Sequence, residues 1–218
     1  MFVMMVPARR RKLKGLESDL HQLRCISSPN FKLEQYQTPP RLAAEILLAI
    51  DSECKYIEGK VVVDLGCGTG IFALGCARLG ASRVIGVDVD PKVVEVARQN
   101  ASDVGLSSKY ISFLTKDVRD LDTTDIPLDV DFVVMNPPFG TRSEPHMDYA
   151  FVQKGLQFAE TIFSLHKSTT REFWQNQVDW KVKVLDPDID FPIEQEFRFH
   201  KRKLHIISVD LLCHFRNK

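Results

Sequence analysis

A run of mostly β-branched residues breaks into three glycines at alternate positions, Val61-Val62-Val63-Asp64-Leu65-Gly66-Cys67-Gly68-Thr69-Gly70, and this constrains the fold more than any other stretch. An apolar run without polar alternation belongs to a strand covered on both faces, as in the interior of a parallel sheet. The glycines let the chain turn sharply and let a ligand approach the backbone. The helix expected over Gly70 to Leu79 offers free N–H groups in its first turn. The same unit then recurs. Arg83 to Val87 reads as a strand, Pro91 to Val104 as a helix with Asp90 as N-cap and Pro91 at its first position, and Tyr110 to Thr115 as a third strand. Asp129 to Met135 is a fourth strand, Met147 to Glu160 a helix, Thr161 to Leu165 a fifth strand and Thr169 to Gln177 a helix. Val178 to Leu185 and Leu204 to Phe215 are β-prone with no helix between them. Alternating β and α elements closed by a strand pair predict a doubly wound α/β sheet of seven strands. It should be mostly parallel, antiparallel at its end, with helices on both faces.

Upstream, a basic run from Arg9 to Lys14 overlaps Leu13, Leu16, Leu20 and Leu23 at helical spacing, which predicts an amphipathic helix within residues 8–24. Residues 1–7 lack that pattern and read as a flexible extension, leaving 8–218 as a single domain. Thr38 is placed as an N-cap and Pro39 as the first residue of a helix whose apolar stripe runs from Leu42 to Ile50. The apolar stretches fall short of the roughly 18 residues of a membrane span, and the first residues reverse the order of a signal peptide, so a soluble intracellular protein is expected. Five cysteines, scattered and without a C-x-x-C pair, suggest reduced thiols, not a disulfide framework or zinc site.

Asp88 closes the second strand, 22 residues beyond Gly66, where a carboxylate can accept the hydroxyls of a ribose. The loop departs from a dinucleotide fingerprint, with Ile71 where a sixth-position glycine belongs and Asp64 two residues before the first glycine. A carboxylate there repels a pyrophosphate and suits an ammonium group. The segment resembles the first motif of class I S-adenosylmethionine-dependent methyltransferases, which have a Rossmann-like fold. Asp117 matches that family's acidic contact to the adenine amine; taken alone it also reads as a surface-turn aspartate.

After the fourth strand stands Asn136-Pro137-Pro138-Phe139. Two prolines cannot continue a central strand, so the sheet ends in a rigid turn that exposes main-chain carbonyls. An Asn oxygen and a Pro carbonyl side by side can accept both N–H bonds of a planar amine, and Phe139 offers a face for a base. In an open α/β sheet the first and fourth strands flank the switch in strand order, so this turn and Gly66 to Gly70 should share one crevice. The four residues resemble the fourth motif of the amino-methylating branch, whose members modify adenine N6, guanine N2 or a glutamine side chain.

Taken together, residues 34–38, 64–70, 136–141 and 164–171 resemble the methyltransferase-like protein 5 family, which N6-methylates one adenosine of small-subunit (18S) ribosomal RNA. The resemblance implies that Gln35 and Thr38 close over the cofactor and that Gly66, Thr69 and Ile71 line its loop. It also puts Asp88 at the ribose, Asp117 and Val118 at the adenine, and Asn136, Pro137, Pro138 and Phe139 at the reacting amine. It implies a small zinc-binding activator subunit as partner and work in the nucleus or nucleolus and the cytoplasm; in the usual strand order the strand 110–114 lies at a sheet edge, where such a partner could pair. A short twisted edge that tolerates water is the plainer reading of that strand. The net charge is zero, but residues 1–24 and 196–218 each carry six basic and two acidic side chains. Such ends suit either a phosphate-binding face or solvated termini. Arg9 to Lys14, His166-Lys167 and His200 to Lys203 are the RNA candidates. Methylation of a protein glutamine N5 and a catalytically silent scaffold are the competing readings.

Overall fold

The computed structural model describes residues 7–140, 146–196 and 202–217. Of the expected extension, residues 1–6 lie outside that set and Pro7 opens the first helix; Thr141, His200 and Lys201 also lie outside it. The elements are α1 (Pro7–His21), α2 (Pro40–Glu53), β1 (Val61–Leu65), α3 (Ile71–Arg78), β2 (Arg83–Asp88), α4 (Pro91–Asp103) and β3 (Ile111–Thr115). They continue with β4 (Phe132–Met135), α5 (Met147–Phe158), β5 (Thr161–Lys167), α6 (Arg171–Gln175), β6 (Trp180–Glu196) and β7 (Arg202–Arg216).

The seven strands form one sheet in the order β3-β2-β1-β4-β5-β7-β6. β1 pairs in parallel with β2 and with β4, Val63 facing Ile85 on one side and Val133 on the other. β7 runs antiparallel to both β5 and β6. The chain therefore reverses its direction of growth beside β1, and the residues leaving β1 and β4 emerge at the same switch point. Pleating divides the core. Val62, Phe132 and Val134 face α1 to α4, whereas Val63, Leu65, Val133 and Met135 face α5 and the tryptophans Trp174 and Trp180. Leu13, Leu16, Leu20 and Leu23 are all buried, so the helical stripe read from their spacing is the packing face of α1 and the residues just after it. Among the described residues no helix is long and apolar enough to cross a membrane.

Three expectations change. Helix α2 starts at Pro40 with Pro39 flanking it, and no side chain caps it. Thr38 instead turns its hydroxyl toward Asn136. The helix expected over Thr169 to Gln177 contracts to five residues, because Ser168–Thr170 is a tight 3-10 turn. β6 runs far beyond its expected end at Leu185, to 17 residues, since irregularities in register at Val184, Asp186 and Ile189 absorb Pro187 and let pairing resume, whereas β7 at 15 residues gains only a few at its ends.

Candidate active site

Beyond the carboxyl ends of β1, β2 and β4 lies a cavity of about 270 Å³. Gly66, Gly68, Thr69 and Ile71 of the β1–α3 loop line it, with Asp88 from β2 and Asp117 and Val118 after β3. The segment joining α1 to α2 contributes Gln35 and Thr38, and the turn after β4 contributes Asn136 and Pro138. Ten of the thirteen residues singled out from the sequence thus meet in one cavity without the three others: Asp64, Pro137 and Phe139 are buried behind its wall. The loop needs its glycines. Gly66 and Gly70 have φ of 71° and 90°, and a Cβ on Gly66 would stand 3.0 Å from the Phe151 ring.

Asp64 shares the sheet face of Val62 and so points toward α3. Its Oδ2 accepts the Ala73 N–H at 2.9 Å in the first turn of that helix, whereas Oδ1 is buried with no hydrogen-bond partner among the described residues. Burial pushes its carboxyl up to about 7, against the pull of the Ala73 N–H and with a smaller push from the Asp88 charge. Asp88 is raised as well, by burial first. Its Oδ2 accepts the Gly68 N–H at 2.9 Å and Oδ1 the Asp90 N–H at 2.9 Å, which holds the carboxylate at the cavity floor. Asp117 is lowered by the Arg119 side chain, which it engages through both oxygens, while its Oδ1 also caps the turn at the Arg119 N–H. A carboxylate at the cavity with lone pairs to spare, a loop whose glycines leave its backbone open and the Asp64 charge just behind the wall fit a ligand that carries an ammonium and a ribose.

The turn is held from outside itself. Asn136 Nδ2 donates to Thr38 Oγ1 at 3.3 Å, and Asn136 Oδ1 is buried without a hydrogen-bond partner among the described residues. The Phe139 ring is 9% exposed and packs edge-on against Phe191 of β6, with centroids 5.9 Å apart. Gln35 Nε2 reaches Asp90 Oδ2 at 2.8 Å, closing the α1–α2 segment over the loop.

Two residues with no role foreseen belong to this arrangement. Asn100 of α4 donates to the Thr69 carbonyl at 2.9 Å and accepts the Arg24 N–H at 2.8 Å, tying the glycine loop to the N-terminal segment. Glu34 accepts the Phe139 N–H at 2.8 Å. Their partners are remote in sequence, and no local spacing announces them. His166, one of the RNA candidates, is 1% exposed: Ser164 and His166 share the face of β5 that packs on Trp174, and β4 and β7 flank that strand on either side. It serves the core.

A sheet of this order, with a glycine loop after β1, a carboxylate closing β2 and an Asn-Pro-Pro-Phe turn after β4, defines a class I methyltransferase that uses S-adenosylmethionine. A family model described as a methyltransferase domain matches residues 62–153. The chain is 35% identical over 204 residues to the rRNA N(6)-adenosine-methyltransferase METTL5 of Danio rerio, covering 92% of this chain and 97% of that one. It is 34% identical over 204 residues to Mettl5 of Drosophila melanogaster, with 92% and 95% covered. The crystal structure of PH1948 from Pyrococcus horikoshii, a protein assigned as an RNA methyltransferase, superposes with a TM-score of 0.80 at 31% identity, covering 99% of this chain and 100% of that chain. The chain belongs to the METTL5 family.

Proposed function

We propose that this protein N6-methylates a single adenosine in small-subunit (18S) ribosomal RNA. The Asn136 carboxamide carries the reading: its amide nitrogen is engaged by Thr38 while its oxygen is buried with no hydrogen-bond partner among the described residues, at a cavity that fits the cofactor. A buried acceptor costs stability unless a ligand completes it, and an exocyclic amine completes it with an N–H bond. S-adenosylmethionine, when bound, supplies an electrophilic methyl on a sulfonium that is already a good leaving group. The protein's task is to hold and polarise the amine. Adenine N6 is weakly nucleophilic because its lone pair is delocalised into the ring. With Asn136 Oδ1 and the Pro137 carbonyl accepting its two hydrogens, that pair is localised toward the methyl, and the positive charge that develops on nitrogen is stabilised. Preoriented acceptors of this kind contribute roughly a few kcal/mol each in an enclosed site. Pro138 stiffens the turn. Phe139 is the stacking face for the flipped base, and because Phe191 covers it, its use requires the ring or the β6–β7 hairpin to shift.

A small zinc-binding activator subunit is part of the proposal. β3 ends the sheet with Ser112 and Leu114 half-buried, and among the described residues no strand pairs its outer edge. Exposed Arg10, Arg11 and Lys14 on α1 remain candidates for RNA phosphates, and we propose the nucleus or nucleolus and the cytoplasm as sites of action.

Labelled cofactor offered with 18S ribosomal RNA, or with a release-factor protein, tests the reading. Label should enter RNA as N6-methyladenosine, and Asn136→Ala should bind cofactor yet transfer nothing. Incorporation into protein alone, or into neither acceptor, overturns it, as does near-normal turnover by the variant.

A further inference from the structure

The turn that presents the amine acceptors cannot hold itself. β4 ends at Met135, and Pro137 and Pro138 have no N–H, so Phe139 supplies the first main-chain donor after Asn136. No strand receives that donor. It is committed to Glu34 Oε2, 105 positions earlier in the chain, at 2.8 Å and out of contact with water. Glu34 itself is only 6% exposed, unusual for a carboxylate, and its backbone lies at φ 50°, in the left-handed region that a glutamate pays roughly 1 kcal/mol to enter. Its carbonyl accepts the Tyr36 N–H at 2.8 Å, closing the tight bend that this φ makes. Strain and burial at one residue are retained where the surroundings over-determine them, and such sites concentrate around function.

Neighbouring side chains of the same bend go to opposite sides of the cavity. Gln35 reaches Asp90, which also caps α4 through the Lys92 N–H beside the cofactor strand β2. Thr38, four residues on from Glu34, meets the Asn136 carboxamide. Three side chains within five residues thereby bridge the cofactor wall and the amine-accepting turn.

We propose that Glu34 is a positioning residue for methyl transfer: by accepting the Phe139 N–H it clamps the Asn136–Phe139 turn to the segment that closes over the cofactor, so that the amine acceptors are in place only when that segment is closed. The proposal rests on the reading of Asn136 and Pro137 as the amine acceptors. Glu34 also lines the cavity, but its Oε2 is taken by the Phe139 N–H, so its loss should act on turnover through the position of the turn. A displacement of about 1 Å at the reacting centre costs on the order of 10²-fold in rate. Cofactor affinity, set by Asp64, Asp88 and the glycine loop, should change little.

Three variants and two readouts test this. Glu34→Gln keeps an acceptor on a chain of the same length, Glu34→Asp keeps the charge but withdraws it by one methylene, and Glu34→Ala removes both. With selective 15N-Phe labelling, exchange of the Phe139 amide with solvent should be slow in the wild type and in Glu34→Gln, and fast in Glu34→Asp and Glu34→Ala. This readout needs no substrate, so it judges the clamp even if ribosomal RNA proves to be the wrong acceptor. On whichever acceptor the wild type methylates, kcat should fall about 30- to 100-fold in Glu34→Ala and Glu34→Asp and recover to within about fivefold in Glu34→Gln, while the dissociation constant for S-adenosylhomocysteine moves less than about threefold. Equal amide exchange in all four proteins overturns the clamp. So does a loss of cofactor affinity in step with kcat, or a Glu34→Gln enzyme as slow as Glu34→Ala.

Discussion

Cofactor affinity should depend on pH through Asp64, and the size of the effect follows from its burial. With no ligand burial pushes its carboxyl up to about 7, so a proton competes for it as pH falls below neutrality. A ligand ammonium near Asp64 favours the ionised form, because a proton on Asp64 would both remove the attracting charge and occupy the oxygen that has no hydrogen-bond partner among the described residues. Affinity is therefore fully present above the raised value and lost as pH falls below it. If the bound carboxylate stays ionised throughout, the dissociation constant should rise about 15-fold between pH 7 and 5.5, equivalent to about 1.6 kcal/mol. S-adenosylhomocysteine, which carries the ammonium and does not react, is the ligand for calorimetry across that range. Repeating the titration in buffers of different ionisation enthalpy should reveal proton release approaching one per ligand at the acid end. 5′-Methylthioadenosine retains the ribose but lacks the amino-acid moiety, so its affinity should change little with pH. Any slope it does show reports Asp88, whose carboxyl is raised too. Asp64→Asn should bind S-adenosylhomocysteine weakly and without the slope. A wild-type affinity that is flat from pH 7 to 5.5, or a slope that persists in Asp64→Asn, refutes the assignment of the ammonium to Asp64.

Acid should also destabilise the fold through the buried histidines. Trp180 Nε1–H donates to His214 Nδ1 at 3.0 Å, so His214 holds its proton on Nε2 and donates to Ser164 Oγ at 2.7 Å; Ser164 then donates to His166 Nε2 at 2.8 Å. Burial lowers both histidines, so their contribution is present above the unfolded value near 6.5 and lost as pH falls below it, at up to about 1.4 kcal/mol per pH unit for each, which urea midpoints taken from pH 7 to 5 would read. Arg171→Ala should cost about 1–3 kcal/mol in the same assay at pH 7, because it leaves the buried Asp210 carboxylate, which Arg171 grips through Nε at 2.6 Å and Nη2 at 2.7 Å, to Ser168 Oγ and the Asp188 N–H. Expression alone and with the activator subunit tests the β3 edge: a marked gain in solubility or melting temperature on co-expression is expected, and a stable, cofactor-binding monomer without it counts against obligate pairing.

What could be read from the sequence was whatever a short window encodes. The β1 strand, its glycine loop and Asp88 sit within one strand–loop–helix–strand unit, and their spacing alone points to one shared cavity, which the loop and Asp88 do line; the leucine stripe of α1 is likewise a periodicity within one helix. Pairing across the sheet was harder. In β6 the interruption Asp186-Pro187-Asp188 reads as a strand end, yet β7 supplies a partner on one side and the irregular register carries the strand onward to Phe191, whose ring then covers Phe139. His166 reads as basic surface by residue type, and only its place between β4 and β7 makes it core. Thr38 has the side chain and the following prolines of an N-cap, but its hydroxyl serves a residue 98 positions away. These failures share a cause and converge on one place. A rigid turn stripped of donors by two prolines must borrow its position from neighbours, and it does so from Glu34 and Thr38 on one flank and from Phe191 on the other. The chemistry proposed for the Asn136 turn is therefore local and legible, whereas its geometry is a tertiary property, set by the segment carrying Glu34 and Thr38 and by β6. Methyl transfer on this scaffold should accordingly respond to substitutions in both flanks that touch neither the cofactor nor the acceptor.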